Sequence, residues 1–154
     1  MTAEEQLKKD EQFMRKALVE AQQAYDDGEI PVGAVIVCND RIISRAHNLT
    51  ETLCDVTAHA EMQAITSAAN MLGGKYLTDC TLYVTVEPCP MCAGAIINAK
   101  VKRIYIGAME PKSGCFGSKI DFNTLGFNHK PEIYYGICED ECSNILTQFF
   151  KNKR

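Results

Sequence analysis

The sequence predicts an α/β protein, a layered sheet with helices on its faces, and three observations support this. Strand-like runs alternate with helical patterns along the chain. The length of 154 residues fits one domain with its own hydrophobic core. No repeat, low-complexity tract or Pro/Gly/Ser-rich linker interrupts the sequence, so residues 1–154 are expected to form a single domain.

The first half of the chain shows clear start and stop signals. Residues 5–26 carry apolar side chains at helical spacing, Gly28 closes that helix and Pro31 prevents its continuation. Two β-rich runs on either side of Asn39-Asp40 predict a hairpin. Thr57 is expected to cap the next helix. That helix should run from about Ala58 to Met71 and stop at Gly73-Gly74.

The second half repeats the alternation. The run CTLYVTV predicts a buried strand that Pro88 ends, and Pro90 suits the first turn of a helix reaching about Ala99. Further strands are predicted at 102–108 and, more weakly, from 132, with a closing helix at 139–151.

Composition excludes several classes of protein. Hydrophobic residues make up 46% and charged residues 23%, which is ordinary for a globular domain and argues against disorder and fibrous repeats. The apolar runs are too short to cross a bilayer, and the charged N-terminus does not resemble a secretion signal. We therefore expect a cytoplasmic protein with no membrane partner.

The eight cysteines indicate reduced thiols, metal ligands or core residues rather than a disulfide framework. Six of them lack close metal-type spacing and are expected to be small buried hydrophobic residues. These six are Cys38, Cys54, Cys80, Cys115, Cys138 and Cys142.

Charge is unevenly distributed. Residues 1–99 carry 7 Lys and Arg against 14 Asp and Glu, whereas residues 100–154 carry 9 against 6, for a net charge of −4 overall. A local basic face can bind phosphate even on an acidic protein, although ordinary solvated side chains fit equally well. Lys112 is the first candidate for a phosphate contact, because it follows a predicted strand. The charged ending at Lys151, Lys153 and Arg154 is the second.

Two short motifs carry the chemistry: His59-Ala60-Glu61 at one helix start and Pro88-Cys89-Pro90-Met91-Cys92 at the next. Cys89 and Cys92 lie on one helix face, and a helix N-terminus favours thiolate. With His59 they supply three ligands to a tetrahedral ion and leave a fourth position for water, as in a catalytic zinc site with one Zn²⁺ per chain. Neither His47 nor His129 has metal-type spacing to a cysteine.

Glu61 is two residues beyond His59, so it is not expected to bind the metal beside it. It can reach the bound water and act as general acid and base. A Cys-x-x-Cys pair alone also fits structural zinc or redox chemistry, and a zinc-stabilised binding module is a further alternative. Glu61 argues against that module, because a structural site needs no acid beside an open metal position.

The joint arrangement matches the signature of zinc nucleobase deaminases. EIPVGAVIV (29–37), DVTAHAE (55–61), LYVTVEPCPMCAGAI (82–96), GAMEPKSGCFGS (107–118) and the ending FF-KNKR resemble bacterial tRNA-specific adenosine deaminases, within the cytidine deaminase-like superfamily. The resemblance implies a three-layer α/β/α sandwich with a single mixed sheet. It also implies hydrolysis of the wobble adenosine of a tRNA anticodon loop to inosine, a reaction at a C–N bond of a cyclic amidine.

The resemblance further implies that water activated by zinc attacks C6 of the flipped base while Glu61 passes the proton onward and ammonia leaves. It assigns base contacts to Asn48 and to the backbone of Ala60, a ribose contact near Glu110, and a homodimer. Three departures from the family pattern are Glu110 for Asp, Tyr25 for Trp and Gly28 for Arg. The alternative is a deaminase of a free base or nucleotide of guanine, cytosine or cytidine type, because the same ligands serve all of them.

Overall fold

The computed structural model describes residues 1–153, which contain one five-stranded mixed sheet in the order β2-β1-β3-β4-β5. The central strand β3 pairs antiparallel with β1 and parallel with β4, and β5 continues the parallel side. The strands are β1 (Gly33–Cys38), β2 (Arg41–His47), β3 (Cys80–Val86), β4 (Arg103–Ala108) and β5 (Glu132–Tyr135).

Helices cover both faces of this sheet, so the predicted three-layer α/β/α architecture is confirmed. The helices are α1 (Ala3–Asp26), α2 (Ala60–Leu72), α3 (Pro90–Asn98) and α4 (Glu139–Asn152). α1 and α4 pack on one face, where Met14 and Cys142 meet Val35 and Tyr105. α2 and α3 pack on the other face with the remaining core. Strands with both faces buried read as continuous apolar runs, which is why β1 and β3 were recognisable.

The first helix begins earlier than its apolar spacing predicts, because a polar cap extends it. The Thr2 side chain accepts a hydrogen bond from the Glu5 backbone N–H, and the Glu5 carboxylate accepts one from the Thr2 N–H. This reciprocal pair is a capping box. The helix ends as predicted, with Gly28 at a φ of 79° just beyond the C-cap.

The hairpin between β1 and β2 is confirmed. Asn39 and Asp40 both have positive φ, 52° and 63°, which is the geometry of a type I′ turn. The close approach of α1 to this sheet depends on Gly33 in β1. A Cβ on that residue would lie 1.9 Å from the Ala17 carbonyl oxygen, so any side chain there would push the helix away.

The predicted start of α2 is wrong by two residues. The helix begins at Ala60, and His59 rather than Thr57 occupies the N-cap position. Thr57 is instead engaged by Asp55, whose carboxylate accepts hydrogen bonds from the Thr57 N–H at 2.8 Å and from its hydroxyl at 2.7 Å. This local Asx turn engages the Thr57 side chain, which therefore does not cap the helix, and His59 occupies the N-cap position instead.

Most of the six cysteines without metal-type spacing lie in or beside the core. Cys80, Cys115 and Cys142 are buried, and Cys38 and Cys138 are half-buried. The prediction is wrong for Cys54, which is exposed in the loop before α2. Among residues 1–153, no helix has the length and apolar character needed to span a bilayer.

Candidate active site

A cavity of about 190 Å³ opens where the carboxyl ends of the parallel strands meet the N-termini of α2 and α3. This volume is below the range of roughly 300–1,000 Å³ for drug-sized ligands and suits one small ring system. β1 begins and β2 ends at the same edge of the sheet, so the loops flanking them complete the walls. The lining residues are Ile30, Val32, Asn48, Thr50, His59, Ala60, Glu61, Val86, Glu87, Cys89, Glu110 and Ser113.

Three potential metal ligands converge at the floor of this cavity. His59 Nδ1 lies 3.6 Å from the Cys89 Sγ and 3.5 Å from the Cys92 Sγ. Ligands at about 2.3 Å (sulfur) and 2.0 Å (nitrogen) from one tetrahedral zinc ion lie about 3.5 Å apart. All three ligand atoms lie within 4.8 Å of one another. The donor set and its spacing therefore fit zinc.

His59 and Cys89 occupy the N-cap positions of α2 and α3, and neither makes a capping hydrogen bond through its side chain. Ser, Thr, Asp or Asn normally fills this position, so two helix starts give up a stabilising cap. In return both helices direct the positive ends of their dipoles toward the same point. Pro90 begins α3 at a position where no backbone N–H is needed.

Of the three ligands, Cys89 is the one whose pKa already favours metal binding. A hydrogen bond from Cys92, together with His59, lowers the pKa of Cys89 to about 4 against the opposing effect of burial. The hydrogen bond to Cys89 raises the pKa of His59. Cys92 donates to Cys89, so its own pKa is raised. The lowered pKa favours the thiolate form of Cys89, whereas a bound metal must displace the Cys92 proton and compete with protonation of His59.

Glu61 lies in the first turn of α2 beside the ligands, with only 4% of its surface exposed. Burial is the main cause that raises its pKa to about 7, and the Cys89 thiolate adds to this while His59 opposes it. A carboxyl group with this pKa can both take up and release a proton near neutral pH. The cavity therefore combines a three-ligand metal site with a buried proton carrier.

Comparisons with known proteins agree with this geometry. Residues 7–108 match the cytidine and deoxycytidylate deaminase zinc-binding region. The tRNA-specific adenosine deaminase of Bacillus subtilis is 47% identical over 146 residues, covering 94% of this chain and 91% of the relative. The chain belongs to the tRNA-specific adenosine deaminases.

Solved structures place this deaminase among the same relatives. A structure from a study of A-to-I editing by tRNA:A34 deaminases at the wobble position has a TM-score of 0.81 and 43% identity, and the match covers 88% of this chain and 99% of that one. Guanine deaminase from Bacillus subtilis is more distant, with a TM-score of 0.61, 33% identity and coverage of 83% and 88%. Free-base deaminases thus share the fold at lower similarity.

The structure brings three of the four predicted substrate-binding residues of this deaminase to the cavity wall. Asn48 is buried, and its side chain donates to the Ile30 carbonyl and accepts from the Thr50 N–H, which leaves one donor and one acceptor free. Ala60 is the first residue of α2, so its N–H has no partner within the helix. Glu110 is half-buried on the opposite wall.

Lys112 does not line the cavity. Its side chain is exposed on the loop after β4, and its backbone N–H donates to the Glu110 carboxylate at 3.0 Å. The two other histidines lie away from the metal ligands and have structural partners. His47 Nδ1 contacts the Glu20 carboxylate at 3.0 Å, and His129 Nε2 contacts the Val101 carbonyl oxygen at 2.6 Å.

Sequence reasoning missed Thr50, Ser113 and Glu87 as cavity residues. Thr50 and Ser113 stand on irregular loops, where no periodic pattern marks which side chain turns inward. Glu87 did carry a signal: it is an acid immediately after a buried apolar strand and two residues before a metal-type cysteine. A charge at such a position needs partners, and that requirement could have been read from the sequence.

Proposed function

We propose that this protein hydrolyses the wobble adenosine of a tRNA anticodon loop to inosine and releases ammonia. The observation that carries the proposal is the cavity of one-base size lined by His59, Glu61 and Cys89, with the buried Cys92 beside these ligands. Membership of the tRNA-specific adenosine deaminases supplies the substrate class. The enzyme is then a tRNA adenosine(34) deaminase.

His59, Cys89 and Cys92 hold one zinc ion per chain in this proposal. Their spacing fits a tetrahedral ion with three protein ligands, and the matched family region is a zinc-binding one. When bound, zinc lowers the pKa of water and so supplies a nucleophile near neutral pH. The helix dipoles of α2 and α3 favour the thiolate state that the metal requires.

Glu61 moves the protons. A hydrolytic deamination needs a group that accepts a proton from water and then delivers one to the purine ring and to the departing amine. Glu61 is buried beside the ligands and its pKa is about 7, so its protonated and ionised forms are both accessible at neutral pH. Its enclosure also keeps that proton from exchanging with bulk water.

The walls hold the base. Asn48 has one donor and one acceptor free for the edge of a purine, and the Ala60 N–H, at the positive end of α2, suits an acceptor on the ring. Glu110 lies on the opposite wall and is assigned the ribose contact. Lys112, exposed beside it, is assigned a phosphate of the anticodon loop.

The assembly is proposed to be a cytoplasmic homodimer built from single-domain chains. Exposed apolar side chains on the loop before α2 and at the end of that helix support a partner surface there; they include Leu53, Val56, Met71 and Leu72. Burying these side chains against a second copy removes them from water. Sedimentation of the wild type should give twice the chain mass, and Val56→Asp should lower it; a monomeric wild type would refute the dimer.

The function is tested by offering purified protein an anticodon stem-loop with adenosine at the wobble position, and separately guanine and cytidine. Inosine should form in the stem-loop, and neither xanthine nor uridine should appear at a comparable rate. Xanthine as the main product would favour the free-base alternative, which the similarity to guanine deaminase supports. A stem-loop with guanosine at the wobble position serves as the matched control for background hydrolysis.

A further inference from the structure

Glu87 is a buried carboxylate that neither the metal site nor proton transfer uses. It lies between the end of β3 and the Cys89 segment, with 3% of its surface exposed. Its backbone N–H donates to the Ala108 carbonyl at 2.9 Å, which fixes it to the end of the neighbouring strand β4. Among residues 1–153 no lysine, arginine or histidine pairs with it.

The loop after β4 supplies the partners that this charge lacks. Oε1 accepts from the Glu110 N–H at 3.0 Å and from the Ser118 hydroxyl. Oε2 accepts from the Phe116 N–H at 3.0 Å and from the Ser118 N–H at 3.0 Å. Residues 110–118, here called the specificity loop, thus wrap around one carboxylate. Three of the four donors are backbone groups, so the contact depends on the path of the loop.

A carboxylate has four lone-pair positions, and the specificity loop fills all four. Glu87 therefore has no acceptor free for a metal ion, a water nucleophile or a substrate, although it borders the cavity. Hydrogen bonds to an ionised acceptor are about twice as strong as neutral ones. Each loop donor that is withdrawn leaves charge unsolvated in a buried position, so the loop is held in one conformation.

Two further features show that the packing is close. A Cβ on Gly114 would lie 2.3 Å from Glu87 Oε1 and 2.6 Å from the Glu110 carbonyl oxygen, so only glycine fits where the loop crosses the acid. The Cys115 N–H donates to the Pro88 carbonyl at 2.9 Å, which ties the loop to the segment before Cys89. The loop that carries Glu110 and Ser113 into the cavity wall is thereby fixed relative to the metal ligands.

We propose that Glu87 is a positioning residue: its ionised carboxylate fixes the specificity loop against the cavity and so sets the affinity for the RNA substrate. This role rests on the proposed function, because it acts through the wall residues that hold the nucleotide. Removing the charge should free the loop, weaken substrate binding and leave proton transfer by Glu61 intact.

The test compares Glu87→Gln with Glu29→Gln, a matched control. Glu29 is also buried, and its carboxylate accepts from two backbone N–H groups, those of Glu51 and Thr52, in the loop after β2. Amide hydrogen exchange should accelerate about tenfold or more in residues 110–118 for Glu87→Gln, as expected when charge-assisted hydrogen bonds are lost. For Glu29→Gln the acceleration should fall on residues 51–52 instead.

Kinetics on the anticodon stem-loop give the second measurement. Glu87→Gln should retain zinc, raise KM about tenfold and keep kcat within about threefold, because the loss falls on binding. Unchanged exchange in residues 110–118, or a fall in kcat at constant KM with zinc retained, would overturn the proposal. If the wild type leaves the stem-loop unreacted while the exchange pattern appears, the proposed function fails and the structural role of Glu87 stands alone.

Ser118→Ala keeps the test valid if Glu87→Gln does not fold. Ser118 is exposed and supplies one side-chain donor, so the variant removes a single hydrogen bond at little risk to the core. It should accelerate exchange in the same loop by a smaller factor and raise KM in proportion. Gly114→Ala should act more strongly than Ser118→Ala, because its Cβ displaces the carboxylate itself. Exchange that is unchanged in both variants would contradict the proposal.

Discussion

The two ends of the sheet differ in how far their charged side chains are buried. At the carboxyl end of β3 and β4, three buried acids, Glu29, Glu61 and Glu87, lie within or beside one cavity. At the other end, where β4 begins, the half-exposed Arg103 pairs with Glu132 at 3.1 Å, and the Lys100 ammonium lies 4.9 Å from the centre of the Tyr76 ring. The cavity end holds these three acids away from water, whereas the side chains of Arg103, Glu132 and Lys100 at the other end remain accessible to it.

This difference indicates where the molecule accepts a cost in stability. Buried carboxylates are unfavourable unless hydrogen bonds replace their water, and here backbone donors of two loops do so for Glu29 and Glu87. Exposed ion pairs contribute little in either direction. Function is therefore expected to be sensitive to substitutions at the cavity end and tolerant of them at the opposite end.

The largest effect should come from the metal ligands. Cys89→Ala with Cys92→Ala removes two of three donors, so zinc content should fall from about one per chain to near zero and deamination should cease. Metal analysis by mass spectrometry checks the first outcome, and inosine formation checks the second. Cys54→Ala, an exposed cysteine outside the site, is the matched control and should change neither. Zinc retained in the double variant would mean that other residues bind it.

Glu61→Ala should separate binding from chemistry. The variant should keep zinc, because His59, Cys89 and Cys92 remain, and should lose activity by about 10²-fold or more, the usual contribution of a positioned acid and base. Single-turnover rates together with metal content measure the two effects. Full activity would exclude Glu61 from proton transfer, and loss of zinc would make it a ligand. Glu61→Gln, which keeps the shape, should be as inactive as Glu61→Ala.

The helices and strands of this fold were predictable because the spacing of apolar residues agrees with the positions of the turn and stop residues. β3 coincides with the run CTLYVTV, and the positive φ of Asn39 and Asp40 is what the sequence of the hairpin turn implies. The start of α2 was not predictable from capping preference, because Asp55 engages Thr57 and a histidine takes the N-cap. Local hydrogen bonding there overrides the usual preference.

The site was only partly predictable for a similar reason. The residues in short motifs, His59 with Glu61 and Cys89 with Cys92, are close in sequence, so spacing alone suggests their geometry. The contact of Glu87 with Ser118 spans 31 residues and depends on how an irregular loop folds back. Such a contact produces no periodic pattern in the sequence. The one sequence signal for it is an acid directly after a strand that is predicted to be buried.

Glu29→Gln should produce a smaller effect that depends on pH. Burial raises the pKa of Glu29, but hydrogen bonds from Thr52 and Glu51 outweigh it, so the pKa lies below the ordinary value of 4.5. A depressed folded-state pKa contributes stability above 4.5 that disappears as the pH falls through the folded value. The variant should therefore lose about 1.5–3 kcal/mol of unfolding free energy at pH 7, the range for a hydrogen bond to a charged group.

The difference between wild type and Glu29→Gln should shrink below pH 4.5, where the wild-type carboxylate also takes up a proton. Urea denaturation at pH 7 and at pH 4 measures it. Glu132→Gln, at an exposed ion pair, is the control and should change little at either pH. A constant difference between the two pH values would show that the Glu29 hydrogen bonds do not require its charge.

The smallest expected effect is on RNA binding by exposed lysines, and it compares lysines at the two ends of the sheet. The C-terminal end of α4 belongs to the cavity side, because Asn152 donates to the Tyr25 hydroxyl at 2.7 Å. Tyr25 lies in the last turn of α1, and the segment after that helix carries Ile30 into the cavity wall. Lys151 and Lys153 are therefore placed, like Lys112, where an anticodon stem could lie. Arg154, predicted with them, lies outside the described residues.

Lys100 and Lys102 lie about 20 Å from the cavity, the length of a six-residue strand. The double variants Lys151→Ala/Lys153→Ala and Lys100→Ala/Lys102→Ala remove the same charge from opposite ends of the sheet. The first, and Lys112→Ala separately, should raise KM for the stem-loop by up to about fivefold, the upper limit for an exposed charge contact. Each lost phosphate contact should also flatten the dependence of log KM on log salt concentration by about one unit of slope.

The double variant Lys100→Ala/Lys102→Ala is the control, and it should change neither KM nor the salt dependence, because these lysines lie far from the cavity. If RNA were attracted only by the total charge of the protein, both double variants would weaken binding equally. Equal effects of the two double variants would mean that RNA senses the net charge of the protein and not a surface beside the cavity.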